Sequence, residues 1–292
     1  MSPPRRCGIV LFMGTLIAII SDLHINSTVG LAPLRHNLDD GGTYEASRTQ
    51  RWLHDCWRLF WSDVELAKTQ TGYPLLTIFN GDIGELDAKA RTHQVITRNK
   101  STVLEMIRSV IERPVALSDW ALFIRGTASH IGKGGWLEEE IAQDCDIAIR
   151  RDTGAASWWN WRGEIGSLVL DIQHHARLGS KPWTVANPLG DLAVRVELSA
   201  HRARQKVPGL VVRSHRHTFA DTGNIYPVRV CTSGAWQAVP EYAYKADFTA
   251  PPDIGGLIVT VGDNGEWTII QRRYQMRTSK IQTLPPINGK ST

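Results

Sequence analysis

Apolar positions along the chain follow two rhythms: short runs rich in β-branched residues, and longer stretches in which apolar residues recur every three or four positions. Thr15–Ile20 is a continuous apolar run of the kind that suits a strand covered on both faces. From residue 46 to about 68, Trp52, Leu53, Cys56, Leu59, Phe60, Val64 and Leu66 recur at helical spacing. Residues 75–79 predict the next strand. Residues 92–112, with Val95, Val103, Met106, Ile107 and Val110 apolar and Pro114 beyond the end, predict a second helix. Residues 120–125 predict a third strand. Glu138-Glu139-Glu140 after Gly134-Gly135 reads as a helix start whose carboxylates complement the dipole. Residues 168–173 and 210–213 predict further strands, with a helix from 187 to about 205 between them. Residues 228–232, 257–261 and 267–271 read as late strands of a second sheet. Residues 25–45 and the aromatic stretch 157–163 have loop compositions. Strands alternating with helices, then strand-rich sequence, predict an α/β class with one domain over residues 14–275. It follows a disordered or non-native extension (1–13) and precedes a loose tail (276–292).

The apolar start needs a separate reading. Arg5-Arg6 and the run that follows resemble a signal peptide. The run leads directly into Asp22 and His24, and its apolar length of about 14 residues falls short of the ~20 that span a bilayer. Residues 14–20 are therefore read as a buried first strand, with Met1 or Met13 as the start, and no membrane association is expected.

The ends of the apolar runs carry the chemistry. Five clusters occur in order: Ser21-Asp22-Leu23-His24, Asn80-Gly81-Asp82, Gly126-Thr127-Ala128-Ser129-His130, His174-His175 and Ser214-His215-Arg216-His217. Carboxylates and imidazoles delivered from successive strand ends suit a two-metal hydrolytic site. Strand residues two apart share a face, which predicts that Asp22 and His24 reach one site together, as do His215 and His217. Asp82, after Gly81, is placed to bridge two cations. His174 continues the alternation of Leu168, Leu170 and Ile172, with His175 held as its alternative. Any one of these histidines alone is an ordinary residue; five ordered clusters are not. His36, His54, His93 and His201 lie outside them and read as structural or surface groups. Arg216 and Arg177 could hold a phosphate bidentately, and Arg125 reads as a surface ion pair.

Composition narrows the picture slightly. With 292 residues, 42% hydrophobic and 21% charged, the chain is of ordinary soluble globular type, and its net charge of +4 admits an anionic substrate without demanding nucleic acid. Cys7, Cys56, Cys145 and Cys231 form no Cys-x-x-Cys pair, which disfavours a disulfide framework or zinc knuckle and suits the cytoplasm. The absence of cysteine near the clusters points to manganese, iron, zinc or cobalt in an oxygen and nitrogen shell, with manganese the first choice. Among eleven tryptophans, Trp52, Trp57 and Trp61 fit helix packing. Trp158, Trp159 and Trp161 fit either the domain edge or base stacking. Arg195, Arg202, Arg204 and Lys206 form a basic face that solvent or a nucleic-acid backbone could meet.

In this order the clusters resemble the motifs of the calcineurin-like metallophosphoesterase superfamily: Asp-x-His, Gly-Asp-x-x-Asp/Glu, Gly-Asn-His, His and Gly-His-x-His. The resemblance covers roughly residues 14–270. It implies a four-layer α/β/β/α sandwich of two mixed β-sheets, with two divalent metal ions at the strand ends between the sheets. It implies Asp22, His24, Asp82 and His217 around one metal, and Asp82, His174 and His215 around the other. His130 would support the substrate phosphate or protonate the leaving group, and Glu85 would support the site. The implied reaction is in-line attack of a metal-bridging hydroxide on a phosphate ester. Two departures stand out: Thr127 falls where the family has a metal-binding Asn, and Ser214 replaces a Gly. The Gly-Thr-x-x-His variant, Asp39-Asp40-Gly41-Gly42 and Gln50-x-Trp52 look like a bacteriophage and prophage subgroup. The expected activity is that of a phosphodiesterase or nuclease, with nucleic acid as a possible partner. A phosphomonoesterase and an inactive binding module are the alternatives.

Overall fold

A computed structural model describes residues 14–86, 94–179, 181–245 and 251–276. The expectations for residues 1–13, the tail from 277, Cys7 and His93 lie outside the described residues. The strands, in chain order, are β1 (Thr15–Ile20), β2 (Arg35–Asn37), β3 (Thr43–Glu45), β4 (Leu75–Asn80), β5 (Trp120–Ile124) and β6 (Ser157–Trp158). They continue as β7 (Asn160–Ile165), β8 (Leu168–His175), β9 (Leu210–Ser214), β10 (Arg229–Thr232), β11 (Ile254–Val261) and β12 (Trp267–Tyr274). The helices are α1 (Arg48–Thr71), α2 (Lys100–Leu117), α3 (Ala128–Ile131), α4 (Trp136–Gln143), α5 (Asn187–Arg202) and α6 (Glu241–Lys245).

Two mixed sheets form the centre. One has the order β12-β11-β1-β4-β5-β6, the other β10-β9-β8-β7, and β2 and β3 make a separate hairpin. Within the first sheet β1, β4, β5 and β6 run parallel, so their carboxyl ends gather on one edge. The second sheet presents β8 and β9 in the same parallel manner.

Strand alternation sorts the apolar residues into layers. Leu16, Ala18 and Ile20 of β1 pack toward α1, α2 and α4, together with Phe60, Trp61, Ile107 and Leu137. Ile17 and Ile19 face the opposite way and meet Leu168, Leu170, Ile172, Leu210 and Val212 between the sheets. Val211 points outward beneath Leu189, Ala193 and Val196 of α5. The result is the expected four-layer α/β/β/α sandwich.

Gln50 links this frame to the site. Ser47 and Gln50 form a capping box at the start of α1. The Gln50 amide also donates to the carbonyls of Ser27 (3.1 Å) and Gly30 (3.3 Å), anchoring the loop that follows His24. No helix among the described residues is long and apolar enough to cross a membrane. Cys56, Cys145 and Cys231 are free, buried thiols.

Three sequence expectations are corrected. β11 and β12 belong to the first sheet: β11 runs antiparallel along the open edge of β1, with Ile19 opposite Leu257. Its apolar alternation serves either sheet equally, so periodicity could not choose. The aromatic stretch is not a loop but β6 and β7. Trp161, Gly163 and Ile165 turn inward while Asn160, Arg162 and Glu164 face solvent, a two-residue period hidden by polar residues. Trp158 and Trp161 pack against the inter-sheet core. Finally, α2 begins at Lys100 behind the Asn99 cap and contains Pro114, which is buried against the core.

Candidate metal centre

The carboxyl ends of β1, β4, β8 and β9 meet between the sheets, and each carries its cluster just past the last strand residue or at it. How the side chains converge differs from the sequence expectation. β1 ends at Ile20 and β9 at Ser214, so strand alternation does not aim Asp22, His24, His215 or His217. Instead the backbone turns left-handed at Asp22 (φ 54°), His24 (45°), Asp82 (52°), His215 (72°) and His217 (51°). Asn26 and Arg204 are the other non-glycine residues with positive φ among the described residues. L-residues enter this region at a cost, and such residues concentrate where function over-determines the backbone. Ladder-like bonds hold the kinks: Asp22 N–H donates to Gly81 O and His24 N–H to Asp82 O, both at 3.0 Å. Trp236 N–H donates to the Asp22 carbonyl (2.9 Å) and Asp253 N–H to that of His217 (2.8 Å).

Two glycines make room for Asp82. A Cβ on Gly81 would sit 2.5 Å from His174 Nδ1, and one on Gly126 would sit 2.1 Å from Asp82 Oδ1. The second approach lets Thr127 N–H donate to Asp82 Oδ1 at 2.6 Å.

Two groups of donor atoms around Asp22 result, each compact enough for one ion: Asp22, His24 and His217, and Asp22, Asp82, His174 and His215; a third, His24, Glu85 and His130, lies beside them. Asp22, rather than Asp82, is the carboxylate common to both. Its Oδ1 lies 3.2 Å from His217 Nε2 and 3.9 Å from both His24 Nε2 and His174 Nε2. Its Oδ2 accepts the Ser21 hydroxyl and His215 N–H (3.1 Å). Asp82 Oδ2 is 3.0 Å from His174 Nε2 and 4.0 Å from His215 Nδ1.

Outer contacts settle which face of each ring looks inward. His174 Nδ1 is 2.6 Å from the Asn80 carbonyl, which can only accept, so that nitrogen carries a proton and Nε2 faces the carboxylates. His24 Nδ1 is 3.3 Å from Glu85 Oε2. Burial lowers the His24 pKa below the ordinary imidazole value and keeps the ring neutral. Its single proton then lies on Nδ1, leaving a lone pair on Nε2 pointed at the Asp22 carboxylate. Neither His24 Nε2 nor Asp22 Oδ1 has a hydrogen-bond partner among the described residues, though both are buried. Two acceptors facing each other in a dry pocket leave a gap that a cation fills. The residues present therefore fit divalent metal.

The charges compensate one another. Burial opposes ionisation of Asp22 and Asp82, yet His174, joined at Asp22 by His217, holds both carboxyls below the usual carboxylate range. Burial likewise opposes a charged His174, and Asp82 and Asp22 overcome it, raising its pKa to about 10.

The other sequence candidates divide. His175, at the exposed end of β8, is 3.4 Å from Thr127 Oγ1 and stands outside both groups. Thr127 Oγ1 is 3.2 Å from His215 Nδ1, so this hydroxyl borders the second group. Ser214 accepts the Asn80 side-chain amide at 2.6 Å, tying β4 to β9. Arg125 is occupied by Ser157, the Gly134 carbonyl and Glu139. Arg177 and Arg216 are exposed and have no acidic partner among the described residues.

His130, on α3, stands at the rim with Nδ1 2.6 Å from Glu85 Oε2. Burial disfavours its charged form, but Glu85 and the pocket carboxylates raise its pKa to about 9. Glu85, despite burial, is held at about 2 by His130 and His24. His130 is thus an imidazolium at neutral pH, with Nε2–H free of Glu85. In a Glu85→Gln variant its pKa is expected to fall toward the free value of about 6.5, because burial remains while the nearest counter-charge is lost and only Asp82 and Asp22 still favour the charged ring. Proton NMR titration of the His130 ring measures this, and an unchanged pKa would remove Glu85 from the role.

Sequence reading missed Glu138. Rather than complementing the α4 dipole from solvent, it is buried with no hydrogen-bond partner on either oxygen among the described residues. Burial, reinforced by Asp82, pushes its pKa up to about 8. An unfolded glutamate titrates near 4.3, so folding favours the protonated acid. That contribution is whole below about pH 4 and is lost progressively as pH rises toward 8. A Glu138→Gln variant, neutral throughout, is expected to gain on the order of 3 kcal/mol over the native chain between pH 5 and pH 8. Thermal melts of chelator-treated protein at both pH values test this; an equal difference at each contradicts it.

The chain matches no known family model and no curated protein sequence. Among solved structures it is similar to vacuolar protein sorting 29 from Cryptosporidium parvum, at 11% identity and a TM-score of 0.42, covering 90% of this chain and 100% of that one. A dimetal phosphatase from Danio rerio gives 10% identity and 0.41, covering 88% and 98%. A 5'-nucleotidase from Candida albicans gives 10% and 0.40, covering 87% of this chain and 50% of its own. These likenesses are weak, and the pocket's own donors carry its chemistry.

Proposed function

We propose that this chain is a divalent-metal-dependent phosphoester hydrolase that prefers phosphodiesters and works with manganese. The observation that carries the reading is the buried Asp22 carboxylate facing the His24 lone pair, with His217, His174, Asp82 and His215 around it. Asp22, His24 and His217 would hold one ion, and Asp22, Asp82, His174 and His215 the other. Bound there, the ions would make a water acidic and offset charge growing on the phosphoryl oxygens. The protein's own part is then to orient these donors, exclude bulk water from the inner pocket and supply a proton. His130, kept charged by Glu85, delivers that proton to the departing alkoxide. The mild positive charge, and Arg177 and Arg216 without an acidic partner among the described residues, support an anionic substrate with groups beyond the scissile phosphate.

Turnover of a bis-aryl and a mono-aryl phosphate, with and without manganese, tests the proposal, alongside elemental analysis. The expected outcome is two equivalents of metal and a kcat/KM for the diester at least about tenfold above that for the monoester. The reverse ratio favours a phosphomonoesterase. One feature favours a second reading: Thr127 offers a hydroxyl where a stronger amide donor would complete the second group. If the chain holds one ion or none and turns over neither ester, it is a binding module that has kept the pocket without the reaction.

A further inference from the structure

Beside the donor groups lies a second feature they do not use. Arg177, two residues after His175, and Arg216, between His215 and His217, line a cavity of about 610 Å³ together with Arg195 of α5. Asp191 is its acidic lining residue, and it is engaged by Arg195 at 2.8 Å. Three arginines against one aspartate leave the cavity strongly positive. Asn187, the first residue of α5, also lines it, and the amino end of that helix adds to the same field.

The loop between two of its lining residues, Leu178 and Asn187, carries a tryptophan. Trp183 lies on the short turn Pro182–Thr184 that leads into α5 and is 77% exposed. The Gly179 N–H donates to Val185 O at 3.1 Å and Thr184 N–H to Lys181 O at 2.9 Å, closing the loop that presents it. Lys181 Nζ lies 5.7 Å from its ring centroid. The base of this loop enters the cavity at Leu178 and Asn187. An exposed ring on the loop that borders this cavity, with Arg177 and Arg216 lacking acidic partners among the described residues, pairs a stacking platform with phosphate donors.

We propose that this cavity binds the phosphate flanking the scissile bond of single-stranded nucleic acid, while Trp183 stacks on the adjoining base. The assignment rests on the phosphodiester reading above and adds to it the substrate class. A continuous strand threads from the donor groups past Arg216 and Arg177 to Arg195, each guanidinium forking onto phosphate oxygens. The base must be unstacked from its neighbours to meet Trp183, which excludes an intact duplex. A simple polyphosphate would use the arginines and leave Trp183 without a role.

The test is binding of a fluorescein-labelled oligothymidine of about ten residues to chelator-treated protein, read by anisotropy across a salt series. Trp183→Ala is expected to weaken binding roughly tenfold, the scale of one lost base stack. Arg177→Gln/Arg195→Gln should weaken it further at low salt and flatten the logarithmic salt slope by about 1.4, or about 0.7 for each phosphate contact. Both variants should melt like the native chain, since all three side chains are exposed. With manganese, each variant should lower the ratio of kcat/KM on the oligonucleotide to kcat/KM on the bis-aryl phosphate by about tenfold. Equal oligothymidine affinity in all three proteins overturns the subsite, as does tighter binding of a blunt duplex or of inorganic polyphosphate that ignores Trp183→Ala. Variant-sensitive binding without turnover of any ester upholds the subsite and overturns the hydrolase reading. Hydrolysis of the bis-aryl phosphate with variant-insensitive binding does the opposite.

Discussion

An Asp22→Asn variant is expected to fold normally and to lose at least about 10²–10³-fold in kcat on a phosphodiester, the scale of losing one preorganised electrostatic contact in a water-excluded site. Its bound manganese should fall below two equivalents. Among the described residues Asp22 is the carboxylate that belongs to both of its donor groups, so its charge would serve both ions of the proposed pair. An asparagine preserves the shape, and its carbonyl can still accept His215 N–H and the Ser21 hydroxyl. What disappears is the negative charge and, at Oδ1, the acceptor opposite His24. Asp82→Asn should cost less metal from the first group, because Asp82 belongs to the second alone. Activity assays, metal analysis and a thermal melt decide the matter together. Full turnover with two bound ions in Asp22→Asn would end the two-ion assignment.

Loading the metal-free protein with manganese at pH 7 is expected to release a proton from His174. His174, its pKa near 10 against the cost of burial, carries a proton on Nε2 at neutral pH because Asp82 and Asp22 stand beside it. Coordination needs that same lone pair, so the proton must leave. His24, already neutral through burial, contributes none, and Asp22 and Asp82 are already ionised. The sign follows: apparent affinity should climb about tenfold per pH unit for each proton released, between about pH 6 and pH 8. Titration calorimetry in two buffers of different ionisation heat reads the proton count. Affinity that is flat over this range would mean His174 does not ligate.

Much of the frame was legible because burial on both faces leaves a simple mark. β1, β4, β5 and β9 are nearly continuous apolar runs, and the inward turn of His174 follows from the same two-residue phase as Leu168, Leu170 and Ile172. Phase failed where the backbone left the strand. Asp22, His24, His215 and His217 do share a pocket, but through left-handed kinks that residue type does not announce. Pairing was equally silent: nothing in the alternation of Leu257, Val259 and Val261 says that β1 is their neighbour. Polar residues concealed β7, whose inward side is carried by Trp161, Gly163 and Ile165. Glu138 looked like its two acidic neighbours, and only its tertiary surroundings make it a neutral acid. Arg195 shares a cavity with Arg177 and Arg216 through the packing of α5, a meeting no local pattern encodes.

Every donor of the pocket precedes residue 218, yet two of them, Asp22 and His217, are held by residues that come later. The amide of Trp236 clasps Asp22 and that of Asp253 clasps His217. β11 seals the flank of β1, which would otherwise offer bare peptide groups to another molecule. A polypeptide shortened beyond the last histidine would own a complete ligand alphabet with no hand to hold it in order, and its unsealed flank would invite self-association.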